Sequence, residues 1–243
     1  MKKISIMDKQ ISIILPVYNE KESLSVMVRL LNSILKFKNE ILIIYDDDSD
    51  NSIKEAKLLE EEFQNVKVFK NSLGKGVKYA VQTGVENAKF DKILITAVDE
   101  IFPIISIEKM VDLMNKENLD FINGTRYSKG GKRIGGSLIG SILSRIANKS
   151  FQFLSKIPLS DCTTGIKMMK KNVWHNINLE SKPIGWAFSF ELSIKAYIKN
   201  YKISEFPIKS VDRLFGGAST FELGPWVKEY LKWFFWGIKN TKK

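Results

Sequence analysis

Four short polar segments hold the residues of this chain whose types and spacing could do chemistry. They are residues 16–20 (Pro-Val-Tyr-Asn-Glu), 46–50 (Asp-Asp-Asp-Ser-Asp), 97–99 (Ala-Val-Asp) and 124–126 (Gly-Thr-Arg). Three of them contain carboxylates, which are oxygen ligands for a hard divalent cation, and the last supplies Arg126, whose guanidinium can pair with phosphate oxygens. This combination indicates a site for a metal ion and a phosphate-bearing ligand.

Each segment follows a short apolar run, and these runs alternate with amphipathic stretches between residues 11 and 123. Such alternation predicts βαβ units and a mostly parallel sheet. The carboxyl ends of parallel strands meet at one edge, where open α/β sheets bind ligands, so we expect the four segments to converge on one crevice. Any one segment could instead be a solvated loop or a helix cap, but four at one edge favour a site.

Two apolar stretches carry more specific expectations. Residues 92–98 (Lys-Ile-Leu-Ile-Thr-Ala-Val) are predicted to form a strand buried on both faces, with Asp99 just past its carboxyl end. Residues 137–155 are predicted to form a helix, with core packing as the simpler role for its apolar stripe and a groove for an acceptor lipid as the other. That stripe consists of Leu138, Ile142, Ile146 and Phe153.

The composition describes one basic domain. The 243 residues are 44% hydrophobic, and the net charge of +11 suits anionic partners or reflects a general lysine bias. A single cysteine, Cys162, excludes an internal disulfide and favours a reducing compartment. No stretch approaches the roughly 20 apolar residues of a transmembrane helix, and no nucleic-acid recognition module is visible. We therefore expect a cytoplasmic protein, or one that contacts the membrane from its cytosolic face.

Taken in order, these segments resemble those of family 2 glycosyltransferases of the GT-A fold, in particular the group that transfers sugars to polyprenyl phosphates such as dolichol phosphate. Residues 161–165 (Asp-Cys-Thr-Thr-Gly), 190–192 (Phe-Glu-Leu) and 205–207 (Glu-Phe-Pro) follow in the same order. The resemblance covers about residues 11–222. It implies a GT-A-like α/β fold, with a single Rossmann-like, mostly parallel sheet flanked by helices over residues 1–222.

The resemblance also assigns roles to individual residues. It implies a divalent cation, Mg²⁺ or Mn²⁺, held by Asp99, and catalytic roles for Asp99, Arg126 and Asp161. Contacts to the nucleotide sugar are implied for Pro16, Tyr18, Glu20, Tyr45, Asp47, Val98, Arg126 and Arg213. Two positions depart from the family pattern: Ala97 stands where a second aspartate is usual, and Thr220 stands where a lysine is usual.

The function implied is inverting transfer of a hexose from a nucleotide-diphosphate sugar to a polyprenyl phosphate at the cytosolic membrane face. One alternative is transfer to a saccharide hydroxyl, which would need Asp161 or Glu191 as a general base. Another is a nucleotide-sugar binder without catalysis, because a carboxylate is missing at Ala97. Neither the sugar nor the oligomeric state follows from the sequence.

Residues 223–243 are predicted to form a C-terminal amphipathic helix, rich in aromatic and basic side chains, that contacts the membrane surface. Docking of this helix on the domain itself or on a second subunit is the alternative. The apolar stripe predicted for it consists of Trp226, Val227, Tyr230, Leu231, Phe234 and Ile238.

Overall fold

The computed structural model describes residues 9–211 and 223–241, so Arg213 and Thr220 lie outside the described residues. The strands are β1 (Gln10–Val17), β2 (Lys38–Tyr45), β3 (Val66–Lys70), β4 (Lys92–Ile95), β5 (Phe121–Thr125), β6 (Lys132–Ile134), β7 (Lys167–Lys170), β8 (Ile203–Pro207) and β9 (Lys209–Val211). The helices are α1 (Lys21–Ile34), α2 (Ser52–Glu62), α3 (Val77–Asn87), α4 (Ile104–Glu117), α5 (Leu138–Ser155), α6 (Lys171–Asn176), α7 (Ala187–Ile198) and α8 (Leu223–Thr241).

A seven-stranded sheet in the order β3-β2-β1-β4-β7-β5-β8 forms the centre of the fold. Four of its neighbouring pairs are parallel, and only β7 runs against its neighbours β4 and β5. The carboxyl ends of β1, β2, β4 and β5 therefore lie at one edge, and β7 begins at that same edge. This arrangement confirms the predicted mostly parallel α/β sheet and the convergence of the four polar segments.

The apolar run of β1 is continuous because helices cover both faces of the sheet. Ile11, Ile13 and Leu15 pack into the core beneath α1 and α4, while Ile14 packs into the second core on the side of α3. Gly84 of α3 allows the close approach on that side, since a Cβ there would lie 2.5 Å from Cγ2 of Ile14. A larger residue at this position would push α3 away from the sheet.

The strand that leads to Asp99 is shorter than the apolar run predicted for it. β4 ends at Ile95, and residues 97–100 form a turn in which the amide of Glu100 donates to the carbonyl of Ala97 at 3.2 Å. Val98 nevertheless packs into the core with 2% of its surface exposed. The apolar run in the sequence therefore extends to Val98 because Val98 is buried, although β4 has already ended. The turn then places Asp99 at the edge of the sheet.

The predicted packing of α5 was wrong on its outer face. Leu138, Ile142, Ile146 and Phe153 are all exposed, whereas Phe151 of this helix is buried among aromatic rings. Helical spacing defines one face of a helix, but it does not tell whether that face meets protein. The exposed stripe includes Leu143 and Leu154 as well, and the exposed basic residues Arg145, Lys149 and Lys156 flank it.

The C-terminal helix α8 is present and packs against α7 and α5. Trp233 is buried at its centre, and Phe234 contacts Phe151 of α5 with ring centroids 5.4 Å apart. Its outer face exposes Val227, Leu231 and Phe235 beside the exposed Lys228, Lys232 and Lys239. The apolar stripe predicted for this helix is therefore divided between a docked face and an exposed one. No helix within residues 9–211 and 223–241 is both long enough and apolar enough to span a membrane.

Candidate active site

Hydrogen bonds join the loops that follow β1 and β2. The amide of Asn19 donates to Oδ1 of Asp50 at 3.0 Å, and the amide of Asn51 donates to Oδ1 of Asn19 at 3.1 Å. The amide of Glu20, at the start of α1, donates to Oγ of Ser52 at 2.8 Å. The sequence predicted that these two loops would meet, and the hydrogen bonds of their polar side chains determine how the loops lie against each other.

A third loop, residues 71–76, joins the same assembly through Asp46 and Asp47. Asp46 accepts from Nδ2 of Asn71 at 2.6 Å and from the amide of Gly76 at 2.7 Å. Asp47 accepts from Nζ of Lys75 at 2.8 Å and from Oγ of Ser49 at 2.9 Å. These bonds, chiefly the one from Lys75, hold the pKa of Asp47 well below its usual range. We call residues 16–20, 46–52 and 71–76 the amino-terminal half of the site.

Lys75 is a site residue that the sequence reasoning missed. Its side chain is 81% exposed at the tip of this loop and stands beside a carboxylate predicted to contact the nucleotide. The signal was present, because Gly74-Lys75-Gly76 precedes α3 and glycine-rich turns before helices commonly cradle phosphates. The spacing here matches no complete phosphate-binding motif, so the signal was weak.

The residues predicted to contact the nucleotide differ in how exposed their side chains are. Tyr18 is 60% exposed. Pro16 lies near the end of β1, where it pairs with Ile44, and Tyr45 is the last residue of β2. The side chain of Val98 packs in the core, which leaves only its backbone for a ligand.

A cavity of about 190 Å³ lies at the carboxyl edge of the sheet, next to the turn that carries Asp99. Its acidic wall is formed by Asp99 and Glu100, and Oε1 of Glu100 accepts from Oγ of Ser210 in β9 at 2.8 Å. The complete lining is Ala97, Asp99, Glu100, Arg126, Thr163, Thr164, Gly165, Ile166, Trp186 and Tyr230. Asp99 and Arg126 are thus brought to one cavity, as their positions after β4 and β5 predicted.

Arg126 and Asp161 form a bidentate ion pair beneath this cavity. Nε of Arg126 donates to Oδ2 of Asp161 at 2.7 Å and Nη2 donates to Oδ1 at 2.9 Å, while the Arg126 amide adds a third bond at 3.1 Å. Burial opposes both charges, but their mutual attraction outweighs it, so the pKa of Arg126 is raised and that of Asp161 is lowered. The guanidinium is therefore held charged and in one orientation.

The two carboxylates considered as general bases are both buried and engaged. Asp161 is fully buried against Arg126 and also accepts from Oγ1 of Thr163 at 3.1 Å. Glu191 is fully buried as well and accepts from the amides of Glu180 and Ser181 at 2.7 and 2.8 Å, and from Lys195 at 2.6 Å. This geometry favours a positioning role for Asp161 and a structural role for Glu191.

Two aromatic residues that the sequence reasoning did not assign to the site complete the cavity. Trp186 stands at the start of α7 with its ring against Gly165, where a Cβ would lie 2.7 Å from Cε3 of the indole. Tyr230 comes from α8 and stacks on Phe190 at 6.1 Å between ring centroids. We call residues 160–166 and 184–186, together with Tyr230, the carboxyl-terminal half of the site.

A buried lysine supports this second half from below. Lys167 of β7 is fully buried. Its Nζ donates hydrogen bonds to Oδ1 of Asn123 and to the carbonyl of Cys162, the latter at 3.1 Å. Asn123 in turn donates to the carbonyl of Asp161 at 2.9 Å. Burial lowers the pKa of Lys167 to about 7 and raises that of the Cys162 thiol to about 12. Cys162 is therefore a packed, unreactive thiol.

The cavity provides oxygen ligands of the kind that Mg²⁺ and Mn²⁺ prefer, though few of them. Asp99 and Glu100 are adjacent on its wall and Thr163 adds a hydroxyl, but no three His, Cys, Asp or Glu side chains gather as a complete cation site among the described residues. A hard cation that takes its other ligands from phosphate oxygens and water fits such a donor set. A cation that needs a full cage of protein ligands does not.

Comparison with known proteins identifies the family. The model for glycosyl transferase family 2 matches residues 12–177. The chain belongs to glycosyl transferase family 2. It is 29% identical over 232 residues to a dolichol-phosphate mannosyltransferase from Pyrococcus furiosus, which covers 92% of this chain and 64% of that relative's length. It is 23% identical over 206 residues to a dolichol-phosphate mannosyltransferase from Mycosarcoma maydis, covering 81% of this chain and 68% of the relative.

Solved structures confirm the predicted GT-A-like fold of this family 2 chain. Glucosyl-3-phosphoglycerate synthase from Mycobacterium tuberculosis, in complex with Mg²⁺ and uridine diphosphate, superposes with a TM-score of 0.70 over 98% of this chain and 85% of its own. The two chains share 14% sequence identity, so this likeness concerns the fold alone. The fold and family expected from the four polar segments are therefore confirmed.

Proposed function

We propose that this family 2 chain transfers a hexose, with inversion, from a nucleotide-diphosphate sugar to a polyprenyl phosphate at the cytosolic membrane face. The observation that carries the proposal is the meeting of Asp99 and Arg126 in one cavity at the carboxyl edge of the sheet. A carboxylate that can hold a divalent cation and a fixed guanidinium suit a diphosphate leaving group. The relatives named above as dolichol-phosphate mannosyltransferases support the acceptor class.

In this proposal the two halves of the site divide the donor between them. The nucleoside lies in the open amino-terminal half, where it contacts Pro16, Tyr18, Glu20, Tyr45 and Asp47. Arg213, which is outside the described residues, helps to bind the diphosphate. Asp99 is the protein ligand of Mg²⁺ or Mn²⁺. Held by Asp99, such a cation would supply positive charge to a diphosphate leaving group. Arg126, oriented by Asp161, binds a diphosphate oxygen and stabilises the same developing charge.

The chemical step needs no strong base when the acceptor is a phosphate. An ionised oxygen of the lipid phosphate forms the new bond to the anomeric carbon, while the bond to the diphosphate breaks and its electron pair leaves with the nucleotide. A saccharide hydroxyl would instead have to lose a proton to a general base. Because Asp161 and Glu191 are buried and engaged, the phosphate acceptor is the better match to this site.

The exposed apolar side chains of α5 and α8 support a peripheral contact with the membrane. Both helices combine exposed aliphatic or aromatic residues with exposed basic ones, such as Phe153 with Lys156 and Phe235 with Lys239. Apolar groups of this kind enter the headgroup region of a bilayer, and lysines bind its anionic lipids. Since α8 also supplies Tyr230 to the cavity, the proposed membrane surface and the reaction site share one helix.

A transfer assay with radiolabelled donors tests the proposal. UDP- and GDP-hexoses are incubated with the chain and Mn²⁺ or Mg²⁺, with polyprenyl phosphate or an oligosaccharide as acceptor. We expect label in the lipid phase, dependent on the cation. Label in the oligosaccharide alone would favour the hydroxyl acceptor. Thermal stabilisation by nucleotide without donor consumption at any cation level would instead favour the non-catalytic binder.

Flotation with liposomes tests the membrane contact separately. The chain is mixed with vesicles of neutral lipid or of neutral lipid with an anionic lipid, and the bound fraction is measured. We expect binding to the anionic vesicles that falls in high salt and in the double variant Leu231→Ser, Phe235→Ser. The matched control Leu58→Ser, exposed on α2, should bind as the wild type does. Equal binding by the double variant would contradict the proposed surface.

A further inference from the structure

The proposed mechanism uses the acidic and basic walls of the cavity but not its aromatic wall. Trp186 and Tyr230 line the same cavity as Asp99 and Arg126, although they come from elements far apart in the sequence. The hydroxyl-bearing residues Thr163 and Thr164 stand beside them. The cavity thus has one aromatic side and one polar side.

Trp186 is held firmly in its place. Its ring lies against the backbone of Gly165, which any side chain at that position would displace, and it stacks on Phe188 with ring centroids 5.7 Å apart. Gly185 precedes it with φ of +49°, and a Cβ there would lie 2.1 Å from the ring of Trp226 in α8. Glycines at both positions are therefore what allow the two indoles to approach the loop so closely.

Tyr230 is fixed from the other side by the docking of α8. It lies between Phe190 and Trp226, with centroid distances of 6.1 and 6.5 Å, in nearly parallel stacks. The neighbouring Glu229 is buried and accepts from the amide of Lys182 at 3.1 Å and from Nε1 of Trp233 at 3.0 Å. The bond from Lys182 joins α8 to the loop that leads into Trp186, and the bond from Trp233 fixes the Glu229 side chain within α8.

The size and chemistry of this cavity fit one sugar ring. About 190 Å³ is below the roughly 300–1,000 Å³ of pockets that enclose drug-sized ligands, so a whole nucleotide sugar does not fit inside. A pyranose combines a face of C–H bonds, which packs on the negative face of an aromatic ring, with hydroxyls that need polar partners. A prenyl chain would remove water from the carboxylates, the guanidinium and the threonines of the lining without offering them any hydrogen bond of its own.

We propose that Trp186 and Tyr230 bind the pyranose of the donor and determine which hexose the site accepts. The inference rests on the proposed function and adds the residues that select its sugar. Trp186, held in place against Gly165, supplies aromatic surface to the cavity wall. Tyr230 closes the cavity from α8, so an epimer whose hydroxyl points toward these rings meets an apolar surface and loses its hydrogen bonds.

The test separates the sugar from the nucleotide. Thermal unfolding is measured with Mn²⁺ and either the nucleoside diphosphate or its hexose conjugate, and the sugar increment is the difference between the two shifts. The variants are Trp186→Leu and Tyr230→Leu, which keep apolar bulk without a ring, and Trp186→Phe and Tyr230→Phe, which keep a ring. Trp236→Leu is the control, because this tryptophan is on α8 but outside the cavity lining.

We expect the leucine variants to respond to the nucleoside diphosphate as the wild type does but to lose the sugar increment. Their donor KM should rise about tenfold or more, and their discrimination between epimeric hexoses should fall. The phenylalanine variants and the control should keep most of the increment. Tryptophan emission of the wild type should also change when the nucleotide sugar is added and not when the diphosphate is added. Trp186→Phe, in which the other four tryptophans remain, should lack this change.

Three results would overturn the inference. An unchanged sugar increment in both leucine variants would show that the aromatic wall does not touch the sugar. Loss of the response to the diphosphate as well would indicate a merely structural role. Absence of any response to nucleotide or nucleotide sugar in the wild-type chain would refute the proposed function itself, and this inference with it. If the leucine variants fail to fold, the change in tryptophan emission on adding the nucleotide sugar must be present in the wild type and absent in Trp186→Phe, or the inference is wrong.

Discussion

The two halves of the site are built in different ways. The amino-terminal half consists of loops at adjacent strand ends, and its functional side chains are open to solvent, with Tyr18 60% and Lys75 81% exposed. The carboxyl-terminal half is buried, and its contacts join distant parts of the chain, such as Arg126 with Asp161 and Gly165 with Trp186. The open half suits a ligand that arrives from solvent, whereas the buried half holds charged groups in fixed orientations before the ligand binds.

Replacing Asp99 should have the largest effect, because this carboxylate lines the cavity and is the proposed protein ligand of the cation. We expect Asp99→Ala to lower transfer by at least about a hundredfold, since the cation would lose its protein ligand. The unfolding temperature should change little. The control Glu117→Gln, exposed at the end of α4, should keep full activity. Full cation-dependent activity in the alanine variant would remove Asp99 from the mechanism.

Breaking the buried ion pair should damage the carboxyl-terminal half alone. Asp161→Asn leaves the Arg126 charge buried without its partner, which should lower the free energy of unfolding by about 3–5 kcal/mol. The exposed pair of Lys9 and Glu108 provides the control, because Glu108→Gln should cost no more than about 1 kcal/mol. Chemical denaturation measures both, and equal losses would contradict the comparison.

The same pair predicts a dependence on pH. The pKa of Asp161 is lowered in the folded state, so its contribution to stability is complete above its unfolded pKa and is lost as the pH falls through the lower folded value. The wild type should therefore lose stability in acid, below about pH 4, more steeply than Asp161→Asn does. Denaturation at several pH values between 2 and 7 measures this difference. If the free energies of unfolding of the two proteins fall in parallel as the pH is lowered, the prediction is wrong.

Lys167 provides a probe of the same half at higher pH. Burial lowers its folded pKa to about 7 from the usual lysine value of 10.5, so between these pH values the unfolded chain binds a proton that the folded chain lacks. Stability of the wild type relative to Lys167→Met should thus rise with pH above about 7, by at most about 1.4 kcal/mol per unit, and stay level below. The exposed control Lys57→Met should show no such slope.

The smallest effect is expected in the amino-terminal half, at Asn19. This residue has φ of +57°, and its Oδ1 accepts a hydrogen bond from the amide of Asn51. Asn19→Gly therefore loses only this hydrogen bond, whereas Asn19→Ala also adds backbone strain at the positive φ. We expect the alanine variant to be about 1 kcal/mol less stable than the glycine variant. Both should raise the KM for the nucleotide sugar a few-fold through the loosened loop. Equal stability of the two variants would mean that the loop relaxes without cost.

Much of the fold and half of the site could be predicted from the sequence. The apolar runs gave β1, β2, β3, β4 and β5 in order, and the polar segments after them predicted the sheet edge where Asp99 and Arg126 meet. The sequence did not reveal that β4 ends at Ile95, because residues buried in a turn and in a strand can be equally apolar. Nor did it reveal that the stripe on α5 faces outward, since periodicity defines a face without its partner.

What the sequence determined by itself was local: which runs form strands, which residues follow them, and that parallel strands bring those residues to one edge. Tertiary structure alone decided the rest of the cavity. Gly165, Trp186 and Tyr230 meet because β7 enters the sheet antiparallel and α8 docks beside α7, and no local pattern encodes either event. Contacts between distant segments depend on how whole elements pack, and therefore the aromatic wall of the site became visible only in the folded chain.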